Sequence, residues 1–293
     1  MDAFRQDRTY LGADHRRNER RTWIVTAICG ATLLAQVGGG IAFKSMALTA
    51  AGLHMAAHVA ALLTASLSYA LARRFAKDAR FSFGAGKLGY LAGFANAVLL
   101  AGTALLIGVE SLERLLAPEA VEYDAALTLA AVGLAINAVC VILLRPPRRA
   151  AGDGDLNLMA AHLHLSADLL AGVLAMAGLA AGRELGWAWS DPAAGLASAA
   201  LVAHFSWGLI RRAGAALLDM NPSAALTQEI RERLSAGGER VLDLHLWRLG
   251  PGHHAAIAVI SAPQPEEPEI YRKRLRDVPG LSHVTVEVRA QAR

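Results

Sequence analysis

Two apolar stretches of this 293-residue chain carry ionisable side chains. GLHMAAH holds His54 and His58, and HLHLSAD holds His164 and Asp168. Each pair is spaced i, i+4, which on a helix puts both side chains on one face about one turn apart. If the two faces meet, three imidazoles and one carboxylate converge, the donor set of a tetrahedral transition-metal site. Binding needs the imidazoles neutral and the carboxylate ionised, so protons compete with the ion. A divalent ion there forms a complex of net charge +1. Such a set suits Zn, Co, Ni or Cu better than metals that want only sulfur or only oxygen. One isolated histidine would read as a hydrogen-bonded packing residue between helices. Four ionisable groups at similar depth, each costly in lipid, call for a common reason. His162 projects from nearly the opposite side of its helix, and His204 has no partner at helical spacing.

The surroundings are membrane-like. Hydrophobic residues make up 54% of the chain and charged ones 18%, below the roughly 25% usual in soluble domains. The mean hydropathy is +0.34. A helix needs about 20 apolar residues to cross a bilayer core, and six stretches qualify: 23–43, 46–72, 88–109, 125–144, 158–182 and 192–210. Lysine and arginine alternate steeply between the loops. Sixteen lie before the first span, after the second, fourth and sixth, and three (Lys44, Arg114, Arg183) lie in the opposite loops. By the positive-inside rule both termini are expected in the cytoplasm. The pI near 9.3 then reflects topology, with no nucleic-acid partner expected. Cys29 and Cys140 both sit in apolar runs and offer neither a disulfide framework nor a CxxC zinc motif.

After Pro222 the pattern changes to helix 226–236, strands 241–249 and 253–261, helix 268–277 and strand 283–289. The expected architecture is an all-α transmembrane bundle of six helices followed by a small cytoplasmic α+β ferredoxin-like domain. Its divisions are a cytoplasmic N-terminal segment 1–22, a membrane domain 23–215 and a C-terminal domain 216–293. On the first strand Leu242, Leu244 and Leu246 are expected to face the core, with Asp243 and His245 outside. His283 and Glu287 share a face by the same alternation. With His245, and with His253 and His254 nearby, they are candidates for a cytoplasmic metal site; a solvated polar sheet face is the alternative.

With these residues in view, the chain resembles the cation diffusion facilitator family of divalent metal/proton antiporters over nearly its whole length, and most the cobalt/nickel efflux branch. The stretches that carry the resemblance are SMALTAAGLHMAAH (45–58), RFSFGAGKLGYLAGF (80–94), HLHLSADLLAGVLA (162–175), LLDMNP (217–222), DLHLW and HVTVEV. The resemblance implies that His54, His58, His164 and Asp168 are the transport-site ligands. The histidine at 58, where zinc members often carry Asp, points to cobalt or nickel, with zinc possible as cargo. It further implies proton exchange by alternating access, no tightly bound cofactor, a homodimer in a bacterial inner membrane, and a dimer-proximal charge pair between Lys87 and Asp219. GAGK around Lys87 lacks the spacing of a phosphate loop.

The chain departs from the family's pattern in places. Ala51 stands where an aspartate is common, and the loop RPPRRAAGDGD lacks the histidines of close relatives. Phe81 and Ala85 replace the ligands of a loop site. Leu242, Ala258, Glu287 and Arg289 occupy tail positions that bind bridging metals elsewhere in the family. Gln36, Asn96 and Asn137 read as amides joining helices, with a role behind the ligands as the alternative. The competing function is a histidine-rich di-iron oxidase or desaturase, which needs about eight histidines in several boxes. A passive channel would need a polar lining that spans one, three, four and six do not supply.

Overall fold

The computed structural model describes residues 9–42, 46–117, 121–146 and 154–291. The side chains of residues 46–51, 53 and 54 lie outside the description, and with them that of His54. Six helices are long and apolar enough to cross a membrane among the described residues. They are α1 (His15–Ala42), α2 (Met46–Arg74), α3 (Leu88–Leu116), α4 (Tyr123–Leu143), α5 (Leu156–Leu185) and α6 (Ser190–Leu217). A helix satisfies every backbone group internally, which lipid cannot do. The helices overrun the apolar stretches because polar residues prolong them into the interfacial region; α1 starts at His15, eight residues before Trp23. Leu34, Leu105, Leu106 and Ile142 are all 70% or more exposed, an arrangement that costs little only when the neighbour is hydrocarbon.

Small residues let the helices close on one another. Gly108 of α3 faces Ala199 of α6, and Gly93 lies under the Leu156 carbonyl of α5. The α1–α2 pair adds polar links: Thr26 Oγ1 meets Ser66 Oγ at 3.0 Å, and Arg73 forks onto Glu19 at 3.0 and 3.1 Å. α5 begins with Asp155 as its N-cap, accepting from the Asn157 and Leu158 amides, and ends at Gly186 with φ +70°.

The C-terminal part contains α7 (Ala224–Leu234), β1 (Arg240–Gly250), β2 (His253–Ala262), α8 (Pro268–Arg274) and β3 (Leu281–Ala290). β1 and β2 are antiparallel, joined across Pro251 and Gly252, the latter at φ +74°. α8 crosses over to β3, which runs parallel to β2. Ile230 and Leu234 of α7, Tyr271 and Leu275 of α8, and Leu246, Ala256, Ile260 and Val286 of the sheet form the core between the two layers.

One expectation fails here. A bulge between Val241 and Asp243 breaks the alternation of β1, so Leu242 turns out to 48% exposure while Leu246 stays in the core.

The opposite sheet face meets the membrane domain. Phe83, from the loop between α2 and α3, packs edge-on against Trp247 and His283, with centroids at 5.5 and 5.6 Å. Gly86 and Gly250 let the backbones at Tyr10, 86 and 249–250 approach too closely for a Cβ on either glycine. His253 completes the seam, with Nδ1 2.7 Å from Ser282 Oγ and Nε2 3.3 Å from the Leu11 carbonyl. Residues 9–12, the α2–α3 loop and the sheet domain therefore share one end of the bundle.

Candidate metal centre

α2 and α5 bring His58, His164 and Asp168 together. His58 is 2%, His164 6% and Asp168 8% exposed, so the group is sealed inside the bundle. Asp168 Oδ2 lies 3.2 Å from His58 Nδ1 and 3.3 Å from His164 Nε2. The two imidazoles stand edge to face with centroids 5.3 Å apart. One donor atom from each residue lies within 4.8 Å of the others, and this is the one such cluster of three or more His, Cys, Asp or Glu among the described residues.

These separations can be compared with what a metal needs. Donors at the corners of a tetrahedron with bonds of about 2.0–2.1 Å stand about 3.3 Å apart. The two measured carboxylate–imidazole distances match that edge. They are also hydrogen-bond distances, so a ring N–H can satisfy the carboxylate when no metal is held.

Apolar packing joins the two helices. Met55 and Leu62 of α2 and Leu158, Ala161 and Leu165 of α5 belong to one buried cluster. Asn96 of α3 donates to the Ala61 carbonyl at 3.1 Å, fixing the turn of α2 that follows His58. His54 lies one turn before His58 in α2, with its side chain outside the described residues. His162 turns toward the Val141 backbone of α4, and His204 is exposed, edge-on to Phe205. Neither joins the cluster.

The remaining candidates are spread out. Lys87, the N-cap of α3, pairs with Asp219 just past α6 at 2.5 Å, and Asp219 has φ +56°. On the sheet, His245 pairs with Asp243 at 2.9 Å, His283 packs on Phe83, and Glu287 pairs with Arg289 at 2.7 Å. β2 lies between β1 and β3, so Ile257 separates His245 from Thr285 in register. Strands two apart stand about 9–10 Å from each other, beyond a shared first coordination shell. His245, His283 and Glu287 do not gather within one chain.

Sequence reading missed a polar node at the end of the bundle nearest the sheet domain. Besides capping α5, Asp155 accepts from Tyr69 Oη of α2 and, at 3.0 Å, from Asn18 Nδ2 of α1. Next to it, buried Asn157 donates to the Ala65 carbonyl and Ser68 Oγ of α2 at 2.9 and 2.8 Å. The available signal was an Asp just before an apolar helix, which identifies a cap and not its partners.

A membrane bundle with a buried imidazole–carboxylate cluster and a docked α+β domain defines a class: an integral membrane protein with ionisable groups sealed within its helices. The chain belongs to the cation efflux family, whose transmembrane-domain model matches residues 22–218. The cation efflux system protein CzcD of Alcaligenes sp. (strain CT14) is 32% identical, covering 94% of this chain and 90% of its own. The zinc transporter ZitB of Escherichia coli (strain K12) is 29% identical over 94% and 88%. The cadmium, cobalt and zinc/H(+)-K(+) antiporter of Bacillus subtilis (strain 168) is 25% identical over 96% and 93%. These relatives are transporters, so the chain is a transporter and the di-iron enzyme alternative is set aside.

Proposed function

We propose that this protein exports a divalent transition metal from the cytoplasm in exchange for protons, with cobalt or nickel favoured and zinc also carried. The observation that carries the reading is the buried triad of His58, His164 and Asp168, whose oxygen-to-nitrogen distances fit one tetrahedral cation. His54 is the fourth ligand in this reading. The relatives' names support a divalent cargo: zinc in one, cadmium, cobalt and zinc in another.

The same atoms support a cycle of alternating access. A neutral imidazole beside the ionised Asp168 binds the ion; on the far side, protons take the ring nitrogens and the ion leaves. Asp155 ties α1, α2 and α5 at the end nearest the sheet domain, which supports reading this conformation as closed toward the cytoplasm. The excess of basic residues in alternate loops supports cytoplasmic termini in an inner membrane, with the membrane domain taken as 23–215 and the C-terminal domain as 216–293. Lys87 and Asp219 brace α3 against α6, the pair of helices proposed to face a second copy in a homodimer.

Flux in reconstituted vesicles tests the proposal, with Co, Ni, Zn, Cd, Mn and Fe supplied with and without a pH gradient. Uptake of one or more divalent ions with opposite proton movement is expected. Metal flux without proton movement would remove the exchange step.

A further inference from the structure

The transport cluster leaves two buried nucleophiles unused. Cys29 of α1 and Cys140 of α4 are both fully buried, with their sulfurs 3.8 Å apart. They are 111 positions apart in the chain and lie in an apolar cluster with Val25, Leu62, Leu144 and Leu165. α1 and α4 otherwise touch only sparsely, so the thiols stand at one of the few places where these helices meet.

Charge decides what such a pair can hold. A lone thiolate, or a monovalent ion on two thiolates, leaves a net negative charge in apolar surroundings, where ions are costly. A divalent ion on two thiolates is neutral. Zinc, cobalt, nickel and cadmium want about four donors. Among the described residues no cluster of three or more ligating side chains includes either cysteine. What fits is a soft divalent ion satisfied by two sulfurs in line.

Distance points the same way. With metal–sulfur bonds of roughly 2.3–2.4 Å, a linear site sets its sulfurs about 4.7 Å apart, an opening of about 1 Å. A disulfide would need closure by about 1.8 Å.

We infer that Cys29 and Cys140 form a second, thiol-only cation site that takes mercuric ion as a neutral dithiolate. Mercuric chloride, itself uncharged, exchanges two chlorides for two sulfurs, and the thiols release two protons; no oxidation state changes. The resulting S–Hg–S bridge ties α1 to α4 inside the buried cluster that also holds Leu62 of α2 and Leu165 of α5, the helices that carry His58 and His164. Mercuric ion is therefore an inhibitor of this protein. The binding claim stands without the transport reading; only the inhibition rests on it.

The test titrates the full-length protein in detergent with mercuric chloride, reading mercury retained after gel filtration and the sulfur-to-mercury absorption in the ultraviolet. Wild type is expected to retain one ion per chain. Cys29→Ser and Cys140→Ser each bind at least 100-fold more weakly, and His58→Ala binds as wild type does. Two ions per wild-type chain with one lost in each serine variant, or retention undiminished in both serine variants, would overturn the site. Loss in His58→Ala would assign the ion to the transport cluster and also overturn it. Cys29→Ala and Cys140→Val, checked by thermal melting, guard against a folding artefact and are expected to match the serine variants. In vesicles, mercuric chloride is expected to cut cobalt or zinc flux at least tenfold in wild type and less than twofold in either serine variant. Flux that fails in every protein before mercury is added counts against the transport reading, and leaves the binding result standing.

Discussion

Asp168 Oδ2 lies within reach of both imidazoles, so the chemistry of the centre concentrates on it. Asp168→Asn keeps the shape and removes the charge that offsets a divalent ion. Its metal affinity, measured by calorimetry on the purified protein, is expected to fall at least 100-fold, with an unchanged gel-filtration profile. His58→Asp swaps a neutral nitrogen donor for a second carboxylate and lowers the charge of the loaded complex by one unit. Vesicle flux is expected to shift at least fivefold toward zinc and cadmium relative to cobalt and nickel; an unchanged metal profile would refute the role given to this histidine. The i, i+4 pairs that made these residues visible are local, and so could be read from the chain. Which nitrogen of each ring meets the oxygen depends on how α2 and α5 cross.

Between elements, the Asp155 side chain links three helices. It caps α5 and bonds to α1 and α2. Asp155→Ala removes the cap, worth about 1 kcal/mol, and strands buried donors at a further cost of about 1–3 kcal/mol. The melting temperature of the detergent-solubilised protein is expected to drop by several degrees. Asp155→Asn, which keeps an acceptor oxygen, should recover part of the loss. In the sheet domain, Arg274 reaches Glu239 at 2.8 Å, and that hydrogen bond holds the Glu239 carboxyl below the usual glutamate range. A carboxyl with a depressed folded pKa contributes stability above its ordinary value, near 4.5, and loses it as pH falls through the depressed one. Wild type is thus expected to lose more stability than Glu239→Gln as thermal melts are taken from pH 6 down to pH 3. Equal slopes would show that the pair does not matter.

At the scale of the whole molecule, three separate stretches of chain meet at one end of the bundle: residues 9–12, the loop carrying Phe83 and Gly86, and the β1–β2 turn. Gly86→Val places side-chain atoms where the Leu249 and Tyr10 carbonyls already lie. The sheet domain is expected to undock, read as faster proteolysis between α6 and α7 at unchanged helix content. Its own core, built from α7, α8 and the sheet, does not involve Gly86 and should persist.

Six apolar stretches, the helix–strand order of the tail and the face shared by His164 and Asp168 follow from composition and period alone, because lipid or a core selects them residue by residue. Even so, the bulge that turns Leu242 outward was invisible, since alternation assumes an unbroken ladder. The contacts of Cys29 with Cys140, of Asp155 with Tyr69 and Asn18, and of Phe83 with Trp247 join positions far apart in the chain. They depend on how helices cross and where a loop lands, and no one-dimensional pattern encodes those distances. The local chemistry was written along the chain; the packing of distant segments decided which groups share a site.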